Sequence, residues 1–550
     1  MNRKIFIYKR ISVTHCLWFL TIVLVAIITA KVMFQFTAAS VQDDAYMFTR
    51  YADNILITGT PSFNPGCEAT YGLTSPVFLG VVLPIRAILP QNTALTMLCS
   101  SALCGLIFIG LLIILVRNSI DGMNPQLNHI ITLTVLLSFA FAANSFSTHF
   151  LSGMDTMSTL AFLTGYIFVC MWHQRSLTVS STLLTGCMGG LAFSFRPDLL
   201  IYTFTVPLVI LLFSSGRRAR LTAAGILSIT SLTVVFQILF YSKYLNSPLP
   251  LSFYAKSTSL YGNYLGESYH LLSLKQLCKY IFSFPLLFSA IGIALFIDFR
   301  RWWHRISVIG KGLLLATAAF FGYHLFFVIP IMGYSQRFYY PTLPALVFLA
   351  VRSVVFIVER TSLNGILHKG LMNRADSKAI LAVMVLLLVF SFGSPVAREV
   401  YHLMKTENGE YRGFDVTEEY RDRWTGYWFC LDEFSRLPDD MVIAATEIGH
   451  PLAMNPGKTI LDLSGLNETM IAHNGFSPDS FFHRYQPDLI YMPHPDYREM
   501  IRQIYADPFF INHYEVFSSS DLSTTMALAL NRDSEYYESM LQIVSDNIMR

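Results

Sequence analysis

Apolar runs of bilayer-crossing length recur through the first 395 residues, at 15–36, 94–116, 128–148, 156–172, 178–195, 198–213, 221–241, 281–298, 311–330, 338–358 and 379–395. A helix needs about 20 apolar residues to cross the hydrocarbon core, so the pattern predicts about eleven spans. Basic residues punctuate alternate loops: Arg3, Lys4, Lys9 and Arg10, then Arg117, Arg175, the "SSGRRAR" loop, "RRWWHR", and the segment from Arg360 to Lys378. The positive-inside rule places all of these on the cytoplasmic side, with the N-terminus inside and the C-terminal tail outside. One apolar stretch, Val77 to Leu89, breaks this parity if it is counted as a span. It is short and follows "TSP", an N-cap with proline at the first helical position, so it is expected to be a re-entrant or interfacial helix.

After residue 395 the pattern changes. "MVIAATEIG", "KTILDLSGL", "PDLIYM" and "MALALN" read as buried strands, and the amphipathic stretches 416–437 and 496–506 read as helices between them. The expected organisation is therefore a multi-span domain at 1–395, with a first external loop at 37–93, and an exported α/β domain at 396–550.

Composition sharpens this picture. Of 550 residues, 53% are hydrophobic and 14% charged, with a mean hydropathy of +0.47. Soluble domains carry about 25% charged residues, so this is a membrane chain. A net charge of +3, without a basic stripe, gives no reason to expect a nucleic-acid partner. The cysteines show no metal-ligand spacing; only Cys67, Cys278 and Cys430 fall in external segments, where a disulfide is conceivable. The first apolar run is too long for a signal-peptide core and is read as an uncleaved helix.

On this topology, unusual polar residues gather on one side. "VQDDAYMFTRYADN" carries Asp43 and Asp44 directly before an amphipathic helix containing Tyr46 and Arg50. "SGMD" carries Asp155, "FRPD" Arg196 and Asp198, "PLPLSFYAKS" Tyr254 and Lys256, and "GYSQRFYYP" Arg337. Charges near span ends require water or partners, so these residues suggest one polar cavity at the outer membrane surface. Helix capping explains one acid of the pair at most. Neighbouring helical side chains point about 100° apart, so Asp43 and Asp44 are not expected to share a proton. One faces the reaction centre, and the other orients an acceptor, a metal or the loop.

The segment "DDAYMFTRYADNILITGTPSFNPGCEATYGLTSPVF" resembles the first external loop of GT-C glycosyltransferases, membrane enzymes that use polyprenyl-phosphate sugars. Its acidic pair, "FNPG" turn and Tyr71–Pro76 step are most similar to the branch that adds terminal arabinofuranose to mycobacterial arabinan. "SGMD", "FRPD", "PLPLSFYAKS", "QRFYYPTLP" and "ILDLSGLN" follow in the expected order, so the likeness covers most of the chain. Asp155 departs from it, standing where relatives often have glutamate; His450 in "EIGHP" matches nothing clearly.

That resemblance implies transfer of a sugar from a polyprenyl-phosphate donor to an acceptor hydroxyl on a cell-envelope glycan, lipid-linked glycan or surface protein. It implies Asp44 or Asp43 as general base, with Asp44 preferred, and Arg337, Lys256 and Arg196 on the donor phosphate. Tyr254, Asp155, Asp198, Arg50 and Tyr46 are expected to line the substrate. A divalent cation near Asp43 suits carboxylate and phosphate oxygens, although nothing in the sequence demands one. The implied location is a plasma (inner) membrane, with the tail domain periplasmic or extracellular. The competing reading is a transporter or flippase of a lipid-linked glycan, which would show repeat symmetry and mid-membrane charges. Asn467-Glu468-Thr469 is also a formal glycan acceptor triplet.

Overall fold

The computed structural model describes residues 41–120, 145–262, 269–329, 334–360, 433–449, 455–494, 497–518 and 527–547, with isolated positions between 128 and 139 and at 453. The expected spans 15–36 and 379–395, about half of 128–148, the 396 domain boundary and most of the helix expected at 416–437 lie outside the described residues. So do His450 and Cys430.

Helix α1 (Tyr46–Thr58) grows from a 3₁₀ turn at Asp43–Ala45 and stops at Gly59, whose φ of 76° is a left-handed C-cap. The stretch excluded from the spans forms α2 (Pro76–Ile88). Its buried Arg86 grips Asp53 of α1 with two N–H donors, at 2.6 and 3.0 Å. Next comes α3 (Thr93–Ser119), started by the Asn92 side chain accepting from Leu95 N–H at 2.9 Å. At 1.5 Å per residue it reaches about 40 Å, enough to cross a bilayer with tilt.

A short helix, α4 (Ser145–Leu151), precedes α5 (Thr156–Ser176), α6 (Val179–Phe195), α7 (Leu200–Phe213) and α8 (Arg217–Tyr244). Between α6 and α7 the chain is extended at Arg196 (φ −167°, ψ 128°), as expected for a residue before proline. Gly186, Gly189 and Gly190 of α6 face Ile229, Thr230 and Thr233 of α8, and a Cβ on Gly190 would overlap the side chain of Thr233. Small residues let the two backbones approach, and Gln237 then donates to the Gly190 carbonyl at 2.9 Å.

After the five-residue α9 (Leu251–Ala255) come α10 (Tyr269–Ser283) and α11 (Pro285–Arg305), bent by 89°. This corrects the span expected at 281–298, which straddles the bend. Phe284 precedes a proline and cannot stay helical; it is buried against Phe139 and Tyr340. A second break at Asp298, whose side chain accepts from Arg301 N–H at 3.0 Å, sets "RRWWHR" on its own helical turn. Helices α12 (Val308–Phe326) and α13 (Leu343–Arg360) complete the bundle. Four described helices are long and apolar enough to cross a membrane, and there are five if the bent pair is counted as one span. Outward-facing Ile57, Ile88, Leu232, Phe236, Phe282 and Phe296 give the bundle an apolar exterior. The chain is a multi-pass membrane protein.

The tail folds as a five-stranded sheet: β1 (Val442–Ala445), β2 (Thr459–Asp462), β3 (Leu489–Tyr491), β4 (Tyr514–Ser518) and β5 (Ala527–Asn531), in the order β2-β1-β3-β5-β4. The first three are mutually parallel, and β5 and β4 are antiparallel additions. Four of these strands are the ones the hydrophobic runs predict. The fifth, β4, is an edge strand of mixed polarity, "YEVFS", which follows a helix without a turn signal. The helix expected at 496–506 forms at Arg498–Ala506.

The α6–α8 contact makes a direct prediction. Gly190→Leu overpacks a joint whose neighbours include the Thr230 backbone carbonyl, and should cost about 1–3 kcal/mol. Thermal unfolding in detergent checks this; an unchanged midpoint rejects the tight joint.

Candidate active site

Apart from Tyr46 and Arg50 in α1 and Tyr254 in α9, the expected site residues stand at interruptions of regular structure. Asp43 and Asp44 form the 3₁₀ turn before α1, and Asp155 is the N-cap of α5. Arg196 occupies the break between α6 and α7, and Lys256 caps α9. Arg337 follows Ser335 and Gln336, both held at positive φ (46° and 57°), a conformation that costs non-glycine residues energy and recurs at functional sites.

Three of the cations converge on one aromatic ring. Arg337 Cζ, Lys256 Nζ and Arg196 Cζ lie 5.4, 6.0 and 6.0 Å from the centroid of Phe338. Arg196 is held by Asp198 at 2.6 Å, and Asp198 also faces His324 at 3.3 Å. Arg337 faces Asp44 at 3.5 Å, with both side chains largely shielded from water. Lys256 has no ion pair among the described residues. Burial, then repulsion from Arg337 and Arg196, lowers its ammonium to a pKa of about 8, while Asp44 pulls the other way. Burial raises the Asp155 carboxyl, against the attraction of Arg196 and Arg337. The ring's face attracts all three cations, but they repel one another. This arrangement is suited to receiving an anion.

Asp43 points elsewhere. Its Oδ2 accepts the Gly449 N–H at 2.9 Å, from the tail domain. Tyr46 lies beside it, its hydroxyl pKa raised by burial and then by the Asp43 charge. The paired carboxylates therefore diverge, one toward the cations and one toward the sheet domain. The sequence signalled neither Phe338 nor His324; the aromatic next to Arg337 in "QRFYYP" was the available clue to the first.

Other expected residues join the bundle to the tail. Buried Arg50 donates to the carbonyls of Phe63, Pro456 and Lys458, so this guanidinium is engaged in a joint and is not presented to the cation cluster. Asn64 bridges Ile460 by giving its amide N–H to the carbonyl and accepting the backbone N–H, both at 2.9 Å. It thereby satisfies the open edge of β2. Tyr51 donates to Asn467 at 2.9 Å, and Asn467 donates twice to Asp462. Burial pushes the Asp462 carboxyl up to about 6, against the donors that surround it. Asn467 is buried, so its formal glycan triplet is closed to modification. The Tyr254 ring packs at a tilt of 42° against His473 of the tail, with centroids 4.2 Å apart. Cys67 and Cys278 are free thiols, so no disulfide joins them. Among the described residues no group of three His, Cys, Asp or Glu is placed to hold a metal ion, and no step is assigned to one.

No protein-family model and no curated protein matches this sequence. Solved structures do. ArnT from Cupriavidus metallidurans bound to undecaprenyl phosphate superposes with a TM-score of 0.52 at 14% identity, over 95% of this chain and 99% of that one. The same protein in the apo state gives 0.52 at 16% identity, over 92% and 97%. Archaeal oligosaccharyltransferase AglB from Archaeoglobus fulgidus, in complex with an inhibitory peptide and a dolichol-phosphate, gives 0.54 at 12% identity, over 95% and 75%. At such identities the likeness establishes the fold alone: a polytopic helical membrane protein with a C-terminal α/β domain.

The joint at Arg50 can be tested against a substrate-lining role. Arg50→Met leaves buried carbonyls unsatisfied, at about 1–3 kcal/mol each, and should lower the unfolding midpoint sharply. A variant of unchanged stability would return Arg50 to the substrate.

Proposed function

We propose that this chain is a membrane-embedded glycosyltransferase that moves a sugar from a polyprenyl-phosphate donor to an acceptor hydroxyl. One observation carries the reading: a carboxylate, Asp44, faces Arg337 within a cluster of three cations gathered around Phe338. Phosphate is the anion that such a cluster fits, because guanidinium binds it bidentately and ammonium as a point charge. The lipid phosphates bound by structures of the same fold support that choice.

In this reading the donor phosphate takes over Arg337, and Asp44 is released to face the acceptor. An acceptor hydroxyl is a weak nucleophile at neutral pH, so a carboxylate within hydrogen-bond reach is needed. As the acceptor oxygen bonds to the anomeric carbon, its proton passes to Asp44. The bond from that carbon to the phosphate oxygen breaks, and the phosphate keeps the electron pair. Arg337, Lys256 and Arg196 neutralise the charge gathering there. Asp198 positions Arg196, and Asp155 lies in the field of the same arginines. The sugar cation character of the transition state is stabilised by nearby carboxylate.

Arabinofuranose is the proposed sugar, from the likeness of the first external loop. The acceptor is a cell-envelope glycan, a lipid-linked glycan or a surface protein. The reaction is placed at the outer face of the plasma membrane, with the N-terminus cytoplasmic and the sheet domain outside, from the distribution of basic loops.

Isolated membranes given a synthetic polyprenyl-phosphate arabinofuranose donor should transfer sugar, and Asp44→Asn should reduce this by about 10²–10⁴ at unchanged protein level. Full activity in Asp44→Asn rejects the assigned base, and transfer only from another lipid-linked sugar corrects the donor. Lys256 adds a pH signature. Its ammonium is charged below about 8 and lost above it, whereas a phosphate monoester is already dianionic there. Affinity for undecaprenyl phosphate should therefore fall as pH rises through 8. Lys256→Arg should hold its affinity to higher pH, because arginine keeps its charge; the same decline in both proteins removes Lys256 from the phosphate site.

A further inference from the structure

The acidic turn is gripped from two sides. On the bundle side, Gln42 N–H donates to the Ser152 carbonyl at 3.0 Å. The adjacent Gly153, at φ 73°, is so close that a Cβ there would stand 2.8 Å from Met97 Cβ and 3.1 Å from Ala45 Cβ. On the tail side, Gly449 lies just past the end of β1 and donates its N–H to Asp43 Oδ2. A Cβ at Gly449 would overlap the Asp43 carbonyl oxygen and stand 2.8 Å from Asp43 Cγ. Neither contact has room for a methyl group. Asp43–Ala45 is a single 3₁₀ turn, so a displacement of Asp43 carries Asp44 with it.

We infer that Gly449 is a positioning residue for the reaction centre: the sheet domain fixes Asp43, and through the shared turn sets the direction of the Asp44 carboxylate. The tail domain is then a component of the active site. The other joints serve the same registration. Arg50 and Asn64 hold the Pro456–Ile460 segment, and Tyr51 holds Asn467, all from α1 or the loop after it. With that segment fixed to α1, the exit of neighbouring β1 arrives at Asp43 in a defined place. A group that must meet an acceptor hydroxyl tolerates little error, since a 1 Å misplacement can lower the rate about 10²-fold. This inference rests on the proposed role of Asp44 as base.

Its test is a double-mutant cycle in the full-length protein, with Gly449→Ala and Asp43→Ala. Each change alone should lower kcat about 10–100-fold with little effect on the KM for the lipid donor, and the double variant should be no worse than the poorer single. Losses that multiply mean the two residues act independently and overturn the inference. Asp43→Asn keeps an oxygen for the Gly449 N–H and should stay within about tenfold of wild type; an Asp43→Asn protein as inactive as Asp43→Ala assigns Asp43 to the chemistry instead. Amide hydrogen exchange supplies a readout free of catalysis. The Gly449 amide should exchange faster in Asp43→Ala than in wild type, and an unchanged rate overturns the contact. Absence of any sugar transfer by wild type would reject the enzymatic reading, while the exchange comparison would still decide the clamp.

Discussion

Three cations held near one ring in a shielded setting repel one another, and everything else at this site answers to that constraint. Asp198 restrains Arg196, Asp44 faces Arg337, and Lys256 is left with its ammonium destabilised. A cluster balanced in this way is strained without an anion and relaxed with one, because a bound phosphate would remove the repulsion that burial intensifies. On the proposed reading, the contact between Asp44 and Arg337 is the point of exchange. At 3.5 Å it is a long ion pair, close enough to orient both groups and loose enough to be displaced.

The backbone reaches this arrangement by breaking its helices in the right places. A regular span points its side chains at lipid or at neighbouring helices, and charge is costly there. An interrupted span can instead turn a charged side chain into a protein-lined space. Arg196 owes its position to Pro197, which forces the preceding residue out of the helical region. Arg337 follows two residues at positive φ, and Asp155 precedes α5 after the left-handed Gly153. The bend at Phe284 belongs to the same pattern, since it lodges an aromatic wedge against Tyr340 beside the entrance to α13. The energetic cost of these breaks is offset by the packing and hydrogen bonds that surround them.

Most of the bundle was legible in the sequence, because apolar length reports a span directly and the "TSP" step marks where α2 begins. The four hydrophobic strands were legible for the same reason. What failed was periodicity across a proline: 281–298 reads as one apolar run although Phe284 and Pro285 divide it. The amphipathic face of α1 was also legible, but its polar residues could not be divided by function. Arg50 and Asp44 look alike in sequence, and only the carbonyls of Pro456 and Lys458, some four hundred positions away, separate a joint from a site. Phe338 was hidden among ordinary interfacial aromatics. Gly449 carried no side chain to attract notice at all.

That last case bears on how the two domains are related. An appended cap would meet the bundle through adaptable polar contacts, as domains that move usually do. Here the contacts are buried and specific. The Asn64 amide closes the edge of β2, and Arg50 is committed to main-chain carbonyls. Gly72 approaches Asn467 so closely that a Cβ would overlap its side-chain oxygen. Asn467 is in turn fixed by Asp462, whose carboxylate is buried and ringed by donors from Ser464 and Asn467. A buried carboxylate is tolerated only where such a network is complete, so displacing the sheet would expose several unsatisfied groups together. The acidic turn, α1 and the loop after it thus lie between the helical bundle and the sheet domain and are shaped by both. The acidic turn is the part pressed hardest from each side, and on the proposed reading that is where a catalytic carboxylate gains most from being held still.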